Sequence, residues 1–172
     1  MTSKQFFLIA LFSFLLFNSC TTEFFENSSQ NPETELVEEQ QFTDVDERLW
    51  TYFEDFENEA ALRGIDLDLI DLEITGAIEN ITEDGVAGTC QYGAHLTHVT
   101  VDLPFWNRSS NLIREMVVFH ELGHCALGRG HTETENANGV CLSVMNSGTT
   151  NCRLLYNQAN RTFYLDELFL EL

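Results

Sequence analysis

Basic residues are scarce in this sequence. Its 172 residues include 8 lysines and arginines against 28 aspartates and glutamates, so the formal net charge is −20. Nucleic acids and anionic lipid surfaces are bound through cationic side chains that neutralise phosphate, and a surface of this sign repels them. The composition therefore argues against a nucleic-acid partner and favours a soluble acidic surface.

Internal repeats and long apolar segments are also lacking. The apolar run from Phe6 to Phe17 covers 12 residues, whereas a helix needs about 20 apolar residues to cross a bilayer. A run of this length, preceded by Lys4, is typical of an export signal. The remaining chain is long enough for one globular domain, and its 44% hydrophobic content suits a packed core.

The apolar run is followed at once by Phe17-Asn18-Ser19-Cys20. A cysteine preceded by a small residue at this place resembles a bacterial lipoprotein processing site, in which the cysteine thiol is lipidated. We therefore predict a signal peptide over residues 1–20 and a lipid anchor at Cys20. This implies the bacterial cell envelope, on the periplasmic or cell-surface face of the outer membrane. Plain secretion is the alternative, because Phe17 and Asn18 depart from the stricter pattern.

Four cysteines remain after the lipidation site: Cys90, Cys125, Cys141 and Cys152. Four cysteines in an exported protein predict two disulfides, for which three pairings exist. The sequence does not choose among them, and we favour Cys141 with Cys152 and Cys90 with Cys125. Free buried thiols are the alternative.

The rest of the chain divides into a flexible acidic linker over residues 21–41 and a folded domain over residues 42–172. A first helix is expected to start at a capping box formed by Asp44 and Glu47 and to end at Gly64. Its buried face is predicted from apolar residues at helical spacing, namely Val45, Leu49, Tyr52, Phe53, Phe56 and Ala60.

Alternating residues predict strands at 65–69, 71–74 and 97–103, the last ended by Pro104. Turns are expected at Asp84-Gly85 and Gly88. A second helix should run from Ser110 to Leu127, and a short one should begin near Tyr164. The predicted fold is α/β: a small twisted sheet, mostly antiparallel or mixed, with a backing helix, a second helix that carries the site, and a loop-rich carboxy-terminal part.

The second helix carries the segment that predicts chemistry, His120-Glu121-Leu122-Gly123-His124. Residues four apart in a helix project from nearly the same side, so His120 and His124 can each give one nitrogen to a single ion. Glu121 is turned by about 100° and can instead reach a water on that ion. Zinc suits imidazole ligands, and Glu121 would take a proton from the activated water.

Catalytic zinc has three protein ligands as a rule, so a third is required. Gly128 and Gly130 allow the chain to double back and bring His131 towards the ion. Glu133 and Glu135 are the next candidates, because carboxylates also bind zinc.

This pattern resembles the metzincin clan of zinc peptidases, whose signature is the two-histidine helix, a glycine turn, a third histidine and a downstream methionine turn. Ser143-Val144-Met145-Asn146 is similar to that turn, and the resemblance places Met145 beneath the metal. Residues 85–170 also resemble a group of small metallopeptidase-like lipoproteins of Bacteroidetes-type bacteria. The spacing departs by one residue, since His131 follows His124 by seven positions instead of six.

The resemblance implies a zinc endopeptidase that acts on peptides or proteins, and we expect a monomer. Some metzincins stabilise the transition state with a tyrosine just past the methionine turn, where this chain has Ser147. Tyr156 and Tyr164 are the candidates to replace it, and the sequence assigns no oxyanion donor. In such folds an edge strand pairs with the substrate, and residues 97–103 are the candidate. The alternatives are a non-catalytic, zinc-containing cell-surface binding lipoprotein and a zinc hydrolase acting on other amides.

Overall fold

The computed structural model describes residues 42–93, 96–148 and 155–170, with the backbone alone at Leu170. The described residues belong to one compact unit that runs from Glu39 to Leu172. The predicted signal peptide, linker and lipidation site Cys20 lie outside the described residues, as does Cys152. The lipid anchor and the pairing of Cys141 with Cys152 therefore stay predictions.

Four helices and three strands form the described domain. In chain order they are α1 (Glu47–Leu62), β1 (Ile74–Glu79), β2 (Gly88–Gly93), β3 (Leu96–Asp102), α2 (Leu103–Arg108), α3 (Asn111–Cys125) and α4 (Arg161–Leu170). The sheet has the order β1-β3-β2, with β1 parallel and β2 antiparallel to β3. The expectation of a small mixed sheet with a backing helix is confirmed at this level. None of the helices in the described ranges has the length and apolar character needed to cross a membrane.

Helix α1 begins two residues later than the predicted capping box. Asp44 has a φ of 56°, outside the extended region that a capping residue adopts, so the prediction was wrong. Asp46 is the cap instead, and its carboxylate accepts the backbone N–H of Arg48 at 3.0 Å. The end near Gly64 and the buried face are as predicted, since the residues facing the core are Leu49, Phe53, Phe56 and Ala60.

The predicted strands at 65–69 and 71–74 are wrong, because residues 65–73 form an irregular segment and turns. The Asp68 carboxylate accepts the backbone N–H groups of Ile70 and Asp71, at 2.8 and 2.9 Å. Such local side-chain bonds compete with a sheet ladder. The first strand, β1, begins only at Ile74.

The third predicted strand is confirmed as β3, which begins and ends one residue earlier than predicted. Its Val99 and Val101 are fully buried. Pro104 follows the strand and lies in the first turn of the short helix α2. Asp102 caps this helix, and its carboxylate accepts the N–H of Phe105 at 2.8 Å. The turn at Asp84-Gly85 is present, whereas Gly88 begins β2 instead of marking a turn.

The three longer helices are joined by a largely buried ionic network. Arg161, at the start of α4, donates to both carboxylate oxygens of Glu115 on α3 at 2.8 and 3.1 Å. Its guanidinium also pairs with Glu59 on α1 at 2.5 Å. Tyr156 donates its hydroxyl hydrogen bond to Glu115 at 2.5 Å. One arginine thus pairs with carboxylates on two different helices.

We predict that Arg161→Gln destabilises the protein by about 2–4 kcal/mol, because it leaves Glu115 buried without its cation and removes one of the two arginines that pair with Glu59. Arg48→Gln is the matched control, since its ion pair with Asp46 is exposed and worth about 0–1 kcal/mol. Urea unfolding followed by circular dichroism measures both values. Equal losses in the two variants would contradict the structural importance of the network.

Candidate metal centre

Helix α3 places the first two histidines on the side of the helix that faces the domain. Its capping residue is Ser110, one of the two candidates Ser109 and Ser110, and it ends at Cys125, two residues earlier than expected. His120 is 7% exposed and His124 is half-buried. Their rings meet edge to face, with centroids 4.7 Å apart. The helical spacing therefore brings the two imidazoles together as the sequence predicts.

The third histidine is brought back by the turn that follows α3. Gly128 has a φ of 65°, and Arg129 donates its backbone N–H to the Gly123 carbonyl at 2.9 Å. The Arg129 guanidinium fixes this turn on α4 through the Glu167 carboxylate at 2.5 Å and the carbonyl oxygens of Glu167 and Leu168. His131 is exposed, and its Nε2 lies 3.2 Å from Nε2 of His124.

Among the described residues, the group able to hold a metal ion is His120, His124 and His131, whose ligand atoms all lie within 4.8 Å of one another. The alternative ligands Glu133 and Glu135 do not belong to it. Glu133 instead accepts hydrogen bonds from the backbone N–H and hydroxyl of Ser147, and these bonds lower the pKa of its carboxyl.

Backbone carbonyls set which nitrogen of each helical histidine faces the others. His120 Nδ1 lies 2.6 Å from the Val144 carbonyl oxygen, and His124 Nδ1 lies 2.6 Å from that of Arg129. A carbonyl oxygen can only accept, so each Nδ1 carries the proton and donates. In the neutral ring the Nε2 atom then has a bare lone pair.

Two of these lone pairs meet at close range. His120 Nε2 and His124 Nε2 are 3.1 Å apart, yet neither has a proton to share in the tautomer that the carbonyls select. Burial lowers the pKa of His120 to about 4 and also lowers that of His124, so at neutral pH both rings are uncharged. A cation between the nitrogens removes this repulsion.

The spacing suits such an ion. Two nitrogens bound to one zinc ion at 2.0–2.1 Å with a tetrahedral angle lie about 3.3 Å apart. The observed separations of 3.1 and 3.2 Å are close to that value. Imidazole donors are typical of zinc, copper, iron and nickel sites and are poor ligands for calcium or magnesium. The residues therefore fit a transition-type metal ion held by three imidazoles.

Glu121 lies beside this group in a confined position. It is 6% exposed, and burial raises the pKa of its carboxyl to about 8 against the opposing effect of a hydrogen bond from the Cys90 backbone. Strand β2 passes so close that a Cβ on Gly88 would lie 2.8 Å from both Cγ and Oε1 of Glu121. Glycine at position 88 is therefore required for the strand to pass over the carboxyl.

A disulfide joins the same strand to the same helix. Cys90 and Cys125 are bonded with their Cα atoms 5.7 Å apart, which is the pairing we predicted. Cys125 lies one turn after Glu121 on α3, so the covalent bond and the Cys90–Glu121 hydrogen bond act on one side of the helix. The disulfide holds β2 against the helix next to Glu121.

Met145 supports the helix from the opposite side. It is fully buried, and its sulfur lies 2.6 Å from where a Cβ on Gly123 would stand. Gly123 precedes His124, so α3 approaches Met145 closely between the two histidines. Val144, whose carbonyl holds His120, precedes Met145 in the chain.

Neither tyrosine suggested for transition-state stabilisation is available. Tyr156 is buried and donates to Glu115, and Tyr164 is buried and donates to the Cys141 carbonyl oxygen at 2.8 Å. Both hydroxyl protons are donated within the core, so the structure favours neither candidate. No local pattern indicated these partners, because they lie 41 and 23 positions away in the chain.

The histidines and Glu121 open into a cleft of about 330 Å³. The segment 85–90, which includes the start of β2, lines one side, and Met116, Val117 and Val144 give it apolar walls. The expectation that residues 97–103 form the edge strand was wrong, because β3 pairs on both sides and is central. The edge that borders the cleft is β2, whose six residues show no clear alternation of polar and apolar types.

We predict that the protein binds one equivalent of Co²⁺ or Zn²⁺ and that His131→Ala weakens binding by more than about 100-fold, since loss of an outer-shell partner alone costs 10–100-fold. Titration with Co²⁺, followed by visible absorption, measures this. His98→Ala is the control: its ring bonds to Thr75 on the sheet, and binding should be unchanged. Equal affinity in His131→Ala and the wild type would remove His131 from the ligand set.

Comparisons with known proteins identify no relative of this chain. No family model matches it, and neither does any curated protein or solved structure at a significant level. The arrangement of the three imidazoles and Glu121 is thus the basis on which a function can be inferred.

Proposed function

We propose that this protein is a zinc-dependent peptidase in which His120, His124 and His131 hold the metal and Glu121 is the general base. The observation that carries the proposal is the convergence of three imidazole Nε2 atoms beside a buried carboxyl, within a cleft bordered by a sheet edge. Each part has a separate role in amide hydrolysis, and the parts lie side by side.

Zinc is the metal that the chemistry favours. It prefers tetrahedral nitrogen ligands and takes no part in redox reactions, which suits the exported, disulfide-bonded protein that we predict. Zinc held here would lower the pKa of water from 15.7 to about 7 and polarise a substrate carbonyl. Three protein ligands leave a fourth position open, as in catalytic sites.

Glu121 moves the proton. Its carboxylate takes a proton from the attacking water as the oxygen bonds to the carbonyl carbon, and it passes that proton to the leaving nitrogen as the C–N bond breaks. Burial, which raises the pKa of Glu121 to about 8, makes the carboxylate a stronger base. A nearby dication opposes this shift and keeps the group ionised at neutral pH.

Strand β2 gives a reason to prefer peptides over other amides. It pairs with β3 along one side, and no strand in the described ranges pairs with its other side. An extended peptide can add to such an edge through main-chain hydrogen bonds. Since residues at the start of β2 line the cleft, a peptide bound there would extend past Glu121 and the histidines.

One further feature agrees with the metzincin resemblance. We interpret residues 143–146 as the methionine turn, supported by the contact between Met145 and Gly123 beneath the histidines. We also retain the lipid anchor at Cys20 and the monomeric state as proposals.

A non-catalytic zinc site is less well supported. A closed structural site would need a fourth ligand, and the group of metal-binding side chains found among the described residues has three members.

We predict that Glu121→Gln lowers kcat by about 10²–10⁴-fold while one equivalent of zinc stays bound, because the amide keeps the shape but cannot accept the proton. Cleavage of a mixed peptide library by the zinc-loaded protein, read by mass spectrometry, gives the rate, and atomic absorption gives the zinc content. Glu79→Gln, on the exposed end of β1, makes the same charge change away from the cleft. Full activity in Glu121→Gln would refute the assigned base, and a zinc-loaded wild type that cleaves no peptide would refute the function.

Gly88→Ala should reduce activity without loss of metal. The added methyl would lie 2.8 Å from two atoms of Glu121, so either the carboxyl or the strand must shift. Because the three atoms nearest to the added methyl belong to Glu121 and Val117, we expect zinc affinity to stay at the wild-type value while kcat falls. Gly93→Ala at the far end of β2 is the matched control, since a methyl there meets nothing within 4 Å. Unchanged kcat in Gly88→Ala would show that Glu121 needs no such exact placement.

A further inference from the structure

Hydrolysis of an amide places negative charge on the carbonyl oxygen, and a donor held towards that oxygen is worth about 10²–10³ in kcat. The tyrosines considered for this role donate to Glu115 and Cys141 inside the core. If the proposed function holds, a donor that assists the metal at this oxygen has to lie within the cleft itself. The side chains that line the cleft and carry a donor, apart from the three histidines and Glu121, are Thr89, Asn146 and Ser147.

Two of the three are excluded by geometry. Gly88 and Cys90 face α3, since a Cβ on one would meet Glu121 and the other is bonded to Cys125. Side chains alternate along a strand, so Thr89 points to the opposite face of the sheet. The Ser147 hydroxyl donates to the Glu133 carboxylate.

The Asn146 amide is fixed in the remaining position. Its Oδ1 accepts the backbone N–H of Gly148 at 2.8 Å, and since a backbone N–H can only donate, this contact identifies the oxygen and the nitrogen of the amide. The side chain is 6% exposed, yet its Nδ2 donates to no acceptor within the part of the chain that the structure describes. A largely buried residue that lines the cleft thus carries an amide nitrogen whose donor capacity is unused among the described residues.

The backbone that carries Asn146 is tied to the metal group on two sides. Two residues earlier, Val144 accepts the hydrogen bond from His120. The preceding residue, Met145, packs against Gly123 and accepts the N–H of Thr132, next to His131, at 2.9 Å. Asn146 therefore keeps a constant place relative to the histidines, as preorganised transition-state stabilisation requires.

We infer that Asn146 is a catalytic residue that donates a hydrogen bond from Nδ2 to the substrate carbonyl oxygen as that oxygen gains negative charge. The inference rests on the proposed peptidase function and adds the residue that meets the developing charge. It assigns Asn146 to the transition state more than to substrate binding, so its loss should lower kcat more than it raises KM.

Two variants separate the donor from the turn. In Asn146→Ser the hydroxyl can still accept the Gly148 N–H, because serine forms the same kind of turn, but the longer amide donor is lost. In Asn146→Asp the acceptor is kept and a carboxylate oxygen replaces Nδ2. Asn136→Ser is the matched control: Asn136 is exposed, lies away from the cleft and accepts the backbone N–H of Asn138 at 2.9 Å in the same manner.

The test uses the zinc-loaded protein and two capped alanine–leucine peptide inhibitors, whose binding is measured by calorimetry. One has a phosphinate, whose tetrahedral oxygens imitate the transition state; the other is a thiol, which binds metal without an oxyanion. We expect Asn146→Ser to lower phosphinate affinity and kcat together by about 10²–10³-fold. Zinc and thiol affinities should be unchanged, and Asn146→Asp should lose more phosphinate affinity than Asn146→Ser.

The outcomes distinguish the two proposals. Equal phosphinate affinity in Asn146→Ser and the wild type, or equal losses for phosphinate and thiol, would overturn the role of Asn146. A wild-type protein that binds zinc and phosphinate but cleaves no peptide would overturn the proposed function, and the phosphinate affinity ratio would still decide whether Asn146 donates to the oxyanion. Failure of the wild type to bind phosphinate would overturn both.

Discussion

The site depends on two hydrogen bonds between imidazole Nδ1 atoms and backbone carbonyls. The Val144 and Arg129 carbonyls fix the tautomers of His120 and His124, and this turns two unprotonated Nε2 atoms towards each other at 3.1 Å. Without a cation the arrangement is electrostatically unfavourable, and with one it is a preformed ligand set. The helix supplies the spacing of these histidines, but the loops on either side of it decide which nitrogen each ring presents. The segments that hold those loops are therefore as important to the site as α3 itself.

The position of Glu121 depends on a different set of contacts, centred on β2. A hydrogen bond from Cys90, the disulfide to Cys125 and the absence of a side chain at Gly88 bring the edge strand directly over Glu121. The same strand offers the free edge on which a peptide could add. In the proposed function, the element that positions the general base is thus also the element that positions the substrate. A displacement of β2 would alter both at once, whereas it would leave the carbonyl contacts of the histidines in place.

Local patterns predicted the parts of this structure that local physics decides. Helical spacing brought His120 and His124 together, and the turn at Gly128 returned His131 to them, although the glycine and the histidine are each one residue later than in the metzincin pattern. The failures have the opposite origin. Residues 65–74 alternate like a strand, but Asp68 bonds to its own neighbours and forms a turn. The central place of β3 depends on pairing with both β1 and β2, and the partners of Tyr156 and Tyr164 lie far away in sequence. No period within one segment encodes such contacts.

Three of the few basic residues in this chain join separate parts of the fold through ion pairs. Arg63 pairs with Glu59 on α1 and with Asp166 on α4. Arg161, on α4, pairs with the same Glu59 and with Glu115 on α3. Arg129 binds Glu167 on that same helix. Its carbonyl is the one that orients His124. In a chain of net charge −20, cations placed among buried carboxylates relieve repulsion where it is least screened by solvent. Arg129 thus docks α4 beside the turn through its side chain and orients a histidine of the candidate metal group through its backbone carbonyl, so helix docking and site geometry meet at one residue.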